Sequence, residues 1–290
     1  MPDKILVVDD EPDILDLAKK TLLESGYQVI EAYSGDEALI KANLEIPDLI
    51  ILDVVMPGKS GLDVCKVLKT QDRTKHIPVV MFTVLGRNSD RQLSIQCGAD
   101  GHLVKPFESE DFLAEIRKYL EEAKAVKFSR QLEQKHKDIL GRIILLEFDP
   151  SFPYERAIRD FIQECVFNNK VALVLTHGGS VIQNALKGDD GVEILNISYQ
   201  QTLSEVLEKY SKESLCLVYD SITNVTLSTN VESAYGYFQN ALKFLSEFRI
   251  TAIFLLNPLA HEPKDVSSIK GLFSNQIKYN KNGLGKIRIM

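Results

Sequence analysis

The chain is predicted to fold as two α/β domains in series, joined by a helical segment. Its 290 residues exceed the roughly 100–200 of a single domain. A strand-then-helix rhythm runs five times through residues 1–122, and a second alternation of the same kind begins at residue 142. With 44% hydrophobic and 26% charged residues, both halves hold enough apolar side chain to bury a core rather than stay disordered. A membrane span is excluded at this level. The longest apolar run, Ile250–Leu256, is broken by Thr251 and falls far short of the roughly 20 residues a bilayer requires. Met-Pro-Asp-Lys leads directly into ILVV with no separate apolar signal region, so a cytoplasmic location is expected.

In the first half, KILVV (4–8) precedes a stretch from Asp13 with Ile14, Leu15, Leu17, Ala18, Leu22 and Leu23 at helical spacing. The pattern returns as YQVIEA (27–32) with helix 35–43, DLIILD (48–53) with helix 61–69, IPVVMFT (77–83) with helix 89–96, and GHLV (101–104) with a helix from Ser109. Runs that are apolar on both faces, each followed by a helix, imply a doubly wound parallel sheet covered on both sides. Such sheets bind ligands at the carboxyl ends of their strands. Asp9, Asp10 and Glu11 end the first strand, Asp53 the third and Thr83 the fourth, while the fifth runs into Lys105-Pro106. Carboxylates packed together repel one another, and a hard divalent cation such as Mg²⁺, with oxygen ligands at about 2.1 Å, relieves that repulsion. Lys105 and the Thr83 hydroxyl would then stabilise an anion added to Asp53, most simply a phosphoryl group.

Taken one at a time, these residues have plainer readings. Asp10 serves as a helix cap ahead of Pro12, Asp53 as a turn residue before Met56-Pro57-Gly58, Thr83 as a cap, and Lys105 as a surface amine. Their joint placement at four strand ends favours the site.

The motifs ILVVDDEP, LIILDVVMPGKSGLDV, PVVMFT and CGADGHLVKPF, in this order and spacing, closely resemble the receiver domain of two-component response regulators, over about residues 3–122. The resemblance implies a flavodoxin/CheY-like (βα)5 fold in which Asp53 takes a phosphoryl group from the phosphohistidine of a sensor histidine kinase. It further implies that Asp10, the Asp53 carboxylate and the Val55 carbonyl hold Mg²⁺, with Asp9 supporting them. Lys105 would pair with the phosphoryl group through a cis Lys105–Pro106 bond, Thr83 would move toward it, and His102 would occupy the aromatic switch position. Val84 stands where the family usually has Ala or Gly, which narrows access. Val55 and Leu85 are apolar where fast-dephosphorylating relatives carry polar groups, so a long-lived phosphorylated form is expected.

Charge and cysteine usage narrow the classes further. The formal net charge is −7, and residues 1–124 hold 15 Lys/Arg against 23 Asp/Glu, which disfavours a nucleic-acid grip by that half. Residues 264–290 carry six Lys/Arg and one acid, and their interleaved Ile, Leu and Phe favour packed structure with solvated lysines. Cys65, Cys97, Cys165 and Cys216 form no CxxC pair and read as buried free thiols. From Ser109 to about Leu140 the chain lacks Pro and Gly and is expected to be one long helix or two nearly continuous ones, with residues 123–141 as a helical linker. Apolar residues at 112, 116, 119, 123 and 126 follow a broken heptad. That stripe allows either pairing of two protomers or packing of the helix on its own domain.

The second half, 142–290, reads as strand 142–148, helix 154–167, strand 171–176, helix 180–187, strand 192–197, helix 201–212, strand 215–219, helix 231–248, strand 250–256 and a final pair near 276–279 and 285–290. It contains no GxxxxGK[ST]; FDPSFPYERAIRDF stands where that loop would be. LCLVYDSIT (215–223), with Asp220, looks like the Mg²⁺-facing strand of a P-loop protein. Together with FLSEF and ITAIFLLNP, this half resembles degenerate RecA/KaiC-like ATPase domains of archaeal type. Lacking a phosphate-holding loop and lysine, it is not expected to be an enzyme. His177-Gly178-Gly179-Ser180 reads as a strand-to-helix turn, and His177 as structural. The 71-residue gap between Asp149 and Asp220, against 43 between Asp10 and Asp53, disfavours a second receiver. No winged-helix pattern or basic recognition helix is present in the sequence, so nucleic acid is not an expected partner. Two classes remain: a phosphorylation-controlled module that binds a protein or a second copy of itself, and a regulated nucleotide-binding domain.

Overall fold

In the computed structural model, the described residues are 2–84, 93–198, 201–210 and 215–289. They form two compact units, Met1–Ala123 and Lys124–Met290.

In the first unit β1 (Lys4–Val8), β2 (Gln28–Ala32), β3 (Leu49–Asp53), β4 (Val79–Thr83) and β5 (Gly101–Val104) form an all-parallel sheet in the order β2-β1-β3-β4-β5. Every residue of β3 and β4 is buried, as expected for central strands with helices on both faces. One face carries the helices Pro12–Glu24 and Ser109–Lys124, which bury Leu15, Ala18, Leu22, Phe112, Ile116 and Leu120 against it. The other carries Gly35–Glu45 and Gly61–Thr70, through Ala38, Ala42, Val64 and Leu68. Ser34 and Ser60 start these two helices by accepting the backbone N–H of Glu37 and Asp63 on their hydroxyls. Of the expected stripe, Phe112 and Ile116 are thus buried in this unit's own core with Tyr119 packed against it. Of the helix expected at 89–96, residues 93–96 are helical; positions 85–92, including Leu85, lie outside the described residues.

In the second unit β6 (Ile143–Phe148), β7 (Val171–Thr176), β8 (Val192–Asn196), β9 (Leu215–Asp220), β10 (Thr251–Leu256), β11 (Asn275–Asn280) and β12 (Gly283–Arg288) form one sheet. Its order is β12-β11-β6-β10-β9-β7-β8, parallel throughout except for the antiparallel edge pair β11–β12. Two apolar clusters cover its faces. The basic tail is packed structure: Ile269, Phe273 and Ile277 are buried in these clusters.

The 123–141 stretch differs from the expected linker. The long helix stops at Lys124, and the helices Lys127–Gln131 and His136–Ile139 belong to the second unit. Phe128, Leu132 and Ile139 are buried in its core. Glu164, fully buried on the helix Glu155–Phe167, accepts the N–H groups of Phe128 and Ser129 at 2.7 and 2.8 Å and contacts His136 Nδ1 at 2.7 Å. One turn earlier, Asp160 pairs with Lys127 at 3.1 Å and accepts from Gln131 at 2.8 Å. The first-turn amides of a helix have no partner within the helix, and here a distant carboxylate supplies one.

Glu164→Leu leaves those two amides buried without an acceptor and is expected to cost about 3 kcal/mol, read as a lower denaturant midpoint for the second unit. In the first unit, a Cβ on Gly61 would stand 1.9 Å from the Asp53 carbonyl oxygen. Gly61→Ala is therefore expected to destabilise that unit by about 2 kcal/mol or more, checked by the same unfolding curves.

Candidate functional site: an acidic cup at the edge of the N-terminal sheet

Parallel pairing places the carboxyl ends of β1, β3, β4 and β5 side by side, which gathers residues 9, 53, 83 and 105 from distant parts of the sequence. Asp9 follows β1 and is fully buried, while Asp10 beside it is more open. Asp53 ends β3 and is buried too. One ligand atom from each of the three carboxylates lies within 4.8 Å of the others, and among the described residues this is the one acidic, His or Cys group so arranged.

Lys105 enters from beyond β5. Its Nζ donates to Asp53 Oδ1 at 2.7 Å and also bonds Asp9 Oδ2, and it lies 4.8 Å from the centre of the Phe82 ring. The Lys105–Pro106 peptide is cis, as the sequence motif suggested. The remaining carboxylate oxygens take backbone donors: Val55 N–H to Asp53 Oδ2 at 2.8 Å and Glu11 N–H to Asp9 Oδ1 at 3.1 Å. Burial pushes the Asp53 carboxyl above the ordinary aspartate value and the Asp9 charge adds to this, although Lys105 and the Val55 amide oppose it. Burial alone would lower the Lys105 ammonium, yet the hydrogen bonds and charges of Asp53 and Asp9 outweigh it and hold the group above the usual lysine value.

Thr83 is buried at the end of β4. Asp53 is paired in register with Phe82, so Thr83 stands one residue further toward the edge. Its backbone carbonyl accepts the Lys105 N–H at 2.8 Å. The side chains of Val55 and Val84 are both exposed at the rim, 59% and 63%. His102 is half-buried on β5, in register with Met81, and strand alternation sets it on the face opposite buried Leu103. The acids, Thr83 and Lys105 thus come together at one edge, with His102 on the neighbouring strand.

Two contributors were not singled out from the sequence. Gly61 lets the next helix start directly against the Asp53 carbonyl. Phe82, Phe107 and Phe112 form a ring cluster, with centroids 4.5–5.9 Å apart, and the Lys105 Nζ lies over its Phe82 ring. The glycine in GKSGLDV and the Phe after Lys105-Pro106 carried the signal for both.

Residues 5–117 match the family model for the response regulator receiver domain. The N-terminal unit is a response regulator receiver domain. Among curated relatives, the chain is 39% identical over 145 residues to the alkaline phosphatase synthesis transcriptional regulatory protein PhoP of Bacillus subtilis, covering 50% of this chain and 59% of that protein. It is 37% identical over 121 residues to the phosphate regulon transcriptional regulatory protein PhoB of Rhizobium meliloti, covering 42% and 53%. The chain therefore spans about half the length of the curated relatives it matches. Among solved structures, chemotaxis protein CheY4 of Vibrio cholerae is 36% identical, with a TM-score of 0.40, over 41% of this chain and 99% of that one. No helix among the described residues is long and apolar enough to cross a membrane.

The receiver's donor set fits a divalent cation. Three carboxylates face one ammonium, so the cup keeps an excess of negative charge, and its oxygens are the hard ligands Mg²⁺ takes.

The second unit has a smaller polar cluster. Asp220 at the end of β9 is paired in register with Thr176 at the end of β7. Asp220 Oδ2 and Thr176 Oγ1 are both buried with no hydrogen-bond partner among the described residues. Burial raises the Asp220 carboxyl, with the Ser180 hydroxyl opposing. His177 bonds Ile197 O at 3.0 Å and the Tyr219 hydroxyl at 3.3 Å, a structural pairing.

Mg²⁺ is expected to raise the thermal midpoint of the receiver in a concentration-dependent way, and Asp10→Asn to remove most of that shift. Because the folded-state pKa of Asp53 is raised, its protonation favours folding at low pH. This contribution is lost as pH rises through the raised value. In metal-free protein, wild type should therefore lose stability relative to Asp53→Asn across that window, and Mg²⁺ should restore it at neutral pH.

Proposed function

We propose that this chain is a cytoplasmic response regulator that takes a phosphoryl group from a sensor histidine kinase onto Asp53 and thereby controls the second unit, a module that binds a protein partner or a second copy of itself. The observation that carries this reading is the Lys105 ammonium shared between buried Asp53 and Asp9 inside a cup of three carboxylates. Asp9, Asp10, the Asp53 carboxylate and the Val55 carbonyl would hold Mg²⁺, which supplies positive charge against the phosphoryl oxygens. An Asp53 oxygen forms the new P–O bond as the P–N bond to the kinase histidine breaks, and the imidazole leaves with a proton. Lys105 offsets the charge now carried by Asp53, and Thr83 turns its hydroxyl toward a phosphoryl oxygen. His102 follows Thr83 inward as a flat ring.

Transcriptional control, stated in the names of the relatives, concerns proteins of which this chain spans about half. The acidic first unit and the α/β second unit favour a protein partner over nucleic acid here. We read the second unit as RecA/KaiC-like without its phosphate loop, on the parallel core and the Asp220 strand. Its unpartnered Asp220 and Thr176 oxygens favour one further reading, a retained nucleotide site.

Incubated with acetyl phosphate and Mg²⁺, the full chain should gain the mass of one phosphoryl group. Asp53→Ala should gain none, and Lys105→Ala should take it up without capturing a partner that the phosphorylated wild type captures. Failure of wild type to label, beside a known regulator that does, overturns the reading. The label should outlast minutes; a half-life of seconds would contradict the role given to apolar Val55. Titration calorimetry with MgATP on wild type and Asp220→Ala decides the second reading, since heat lost in the variant supports a nucleotide site and no heat from either removes it.

A further inference from the structure

The sheet of the second unit ends in two strands that each have one neighbour among the described strands, β8 on β7 and β12 on β11. Gly191 O and Ile197 N–H bond β7, so by strand alternation Val192, Ile194 and Asn196 turn their backbone groups off the sheet. Unpaired groups of this kind are a template for a further strand. The two edges carry opposite charge. Residues 189–208, through β8 and the helix Leu203–Leu207, hold Asp189, Asp190, Glu193, Glu205 and Glu208 with no Lys or Arg. Residues 278–290, through β12, hold Lys278, Lys281, Lys286 and Arg288 with no acid.

Part of this charge is answered locally: Asp189 pairs with Arg159 at 3.2 Å, Glu193 with Lys209 at 3.6 Å, and Lys286 with Glu133 at 3.8 Å. Asp190, Glu205 and Glu208 are exposed at one edge, and Lys278, Lys281 and Arg288 at the other. The Arg288 guanidinium bonds the neutral carbonyls of Phe273 and Ser274, which leave its charge in place. Six strand spacings of about 4.8 Å set the edges roughly 29 Å apart, well beyond a screening length of about 8 Å, so within one copy they do not neutralise each other.

We propose that β12 of one copy adds to β8 of the next, so that chains of this protein associate head to tail through a continuous sheet. This deepens the reading of the second unit as an interaction module, on which it rests, by naming a second copy as the partner. Lysines on an edge strand ordinarily prevent pairing. Here they select the partner, because β8 against β8 and β12 against β12 bring like charges together and β12 against β8 brings opposite ones. A cavity of about 520 Å³ beside the carboxyl end of β8 suits an incoming lysine: Leu195, Ile197 and Val206 line it for the stem, and Glu205 and Glu208 for the ammonium. Ile287, 48% exposed on β12, brings apolar surface to the same contact. Because the contact joins unlike surfaces, it does not close at two copies but continues or forms a ring. A six-residue strand buries little area, so association depends on concentration.

The full chain is followed by sedimentation velocity through a dilution series at low salt and at about 0.5 M salt. Its mass is expected to rise past two chains with concentration at low salt and to return to one chain at high salt. Lys281→Glu with Lys286→Glu cancels the basic edge, and Asp190→Lys with Glu208→Lys cancels the acidic one. Each double variant should stay a single chain, and an equal mixture of the two should form a pair and stop there, through the one intact edge of each. Asn196→Pro removes an outward N–H without changing charge and should also stay single. All five positions are exposed, circular dichroism checks the fold of each variant, and the wild-type series decides the matter where one fails. The proposal is overturned if wild type stays single at every concentration, or if its mass stops at two chains, the mark of a two-fold contact. It is equally overturned if a folded edge variant associates as wild type does, or if the mixture forms no pair. Each run is repeated with acetyl phosphate and Mg²⁺, with labelling read by intact mass: an unlabelled chain refutes the receiver reading, while the edge contact is judged on sedimentation alone.

Discussion

The receiver depends on one electrostatic constraint: two carboxylates, Asp9 and Asp53, are held out of water with a single ammonium between them. Taking an ion out of water costs several kcal/mol unless partners replace the solvent. Lys105, the Val55 amide and the Glu11 amide are those partners. With Asp10 added, three carboxylates stand against one ammonium, and the formal charge of the cup is that of a dianion. A divalent cation balances it. Converting Asp53 to its phosphorylated form then adds negative charge at the same point. Among the described residues, the groups placed to answer are the Thr83 hydroxyl and the Lys105 ammonium. The proposed switch therefore rests on the site's charge balance, and the surrounding fold serves to keep that balance from being relaxed by water.

That fold was legible in the sequence for a specific reason. In a parallel sheet, strands apolar on both faces and helices with one apolar stripe leave a strong alternating pattern, and KILVV, LIILD and VVMFT carry it with little polar interruption. The candidate site residues were legible because they sit at strand ends, where a run of apolar residues stops on an acid or a hydroxyl. Packing by small or aromatic residues was less visible. Nothing in local pattern says that Gly61 must lack a side chain, since the constraint comes from the Asp53 carbonyl eight positions earlier and appears only once the β3 end and the next helix are placed together.

The helix expected to run on past Lys124 is divided for a related reason. Its Glu, Lys, Ala and Leu content favours helix, and composition alone leaves a continuous helix as the natural expectation. What divides it is tertiary: Phe128, Leu132 and Ile139 are drawn into the second unit's core, and Glu164 and Asp160 hold the segment by its amides and side chains. Those carboxylates lie on a helix some 30 residues further on, beyond the reach of any local window. The short helices Ile222–Ser228 and Pro263–Gly271 escaped notice similarly, because each is brief and shares its apolar residues with a neighbouring strand or turn.

Asp53 and Asp220 show how little of a site's chemistry is set by position alone. Each ends a fully buried strand of a parallel sheet, and burial raises the carboxyl of each. Around Asp53 an ammonium and an amide oppose that rise and two further carboxylates stand close, which suits the metal-binding and phosphoacceptor roles proposed for it. Around Asp220 the opposing group is one hydroxyl, with no ammonium beside it among the described residues and no phosphate-loop motif in the sequence. A carboxyl so placed gains little by ionising until a cation arrives. Under the proposed function, the charge made and erased on phosphorylation is thus concentrated in the first unit.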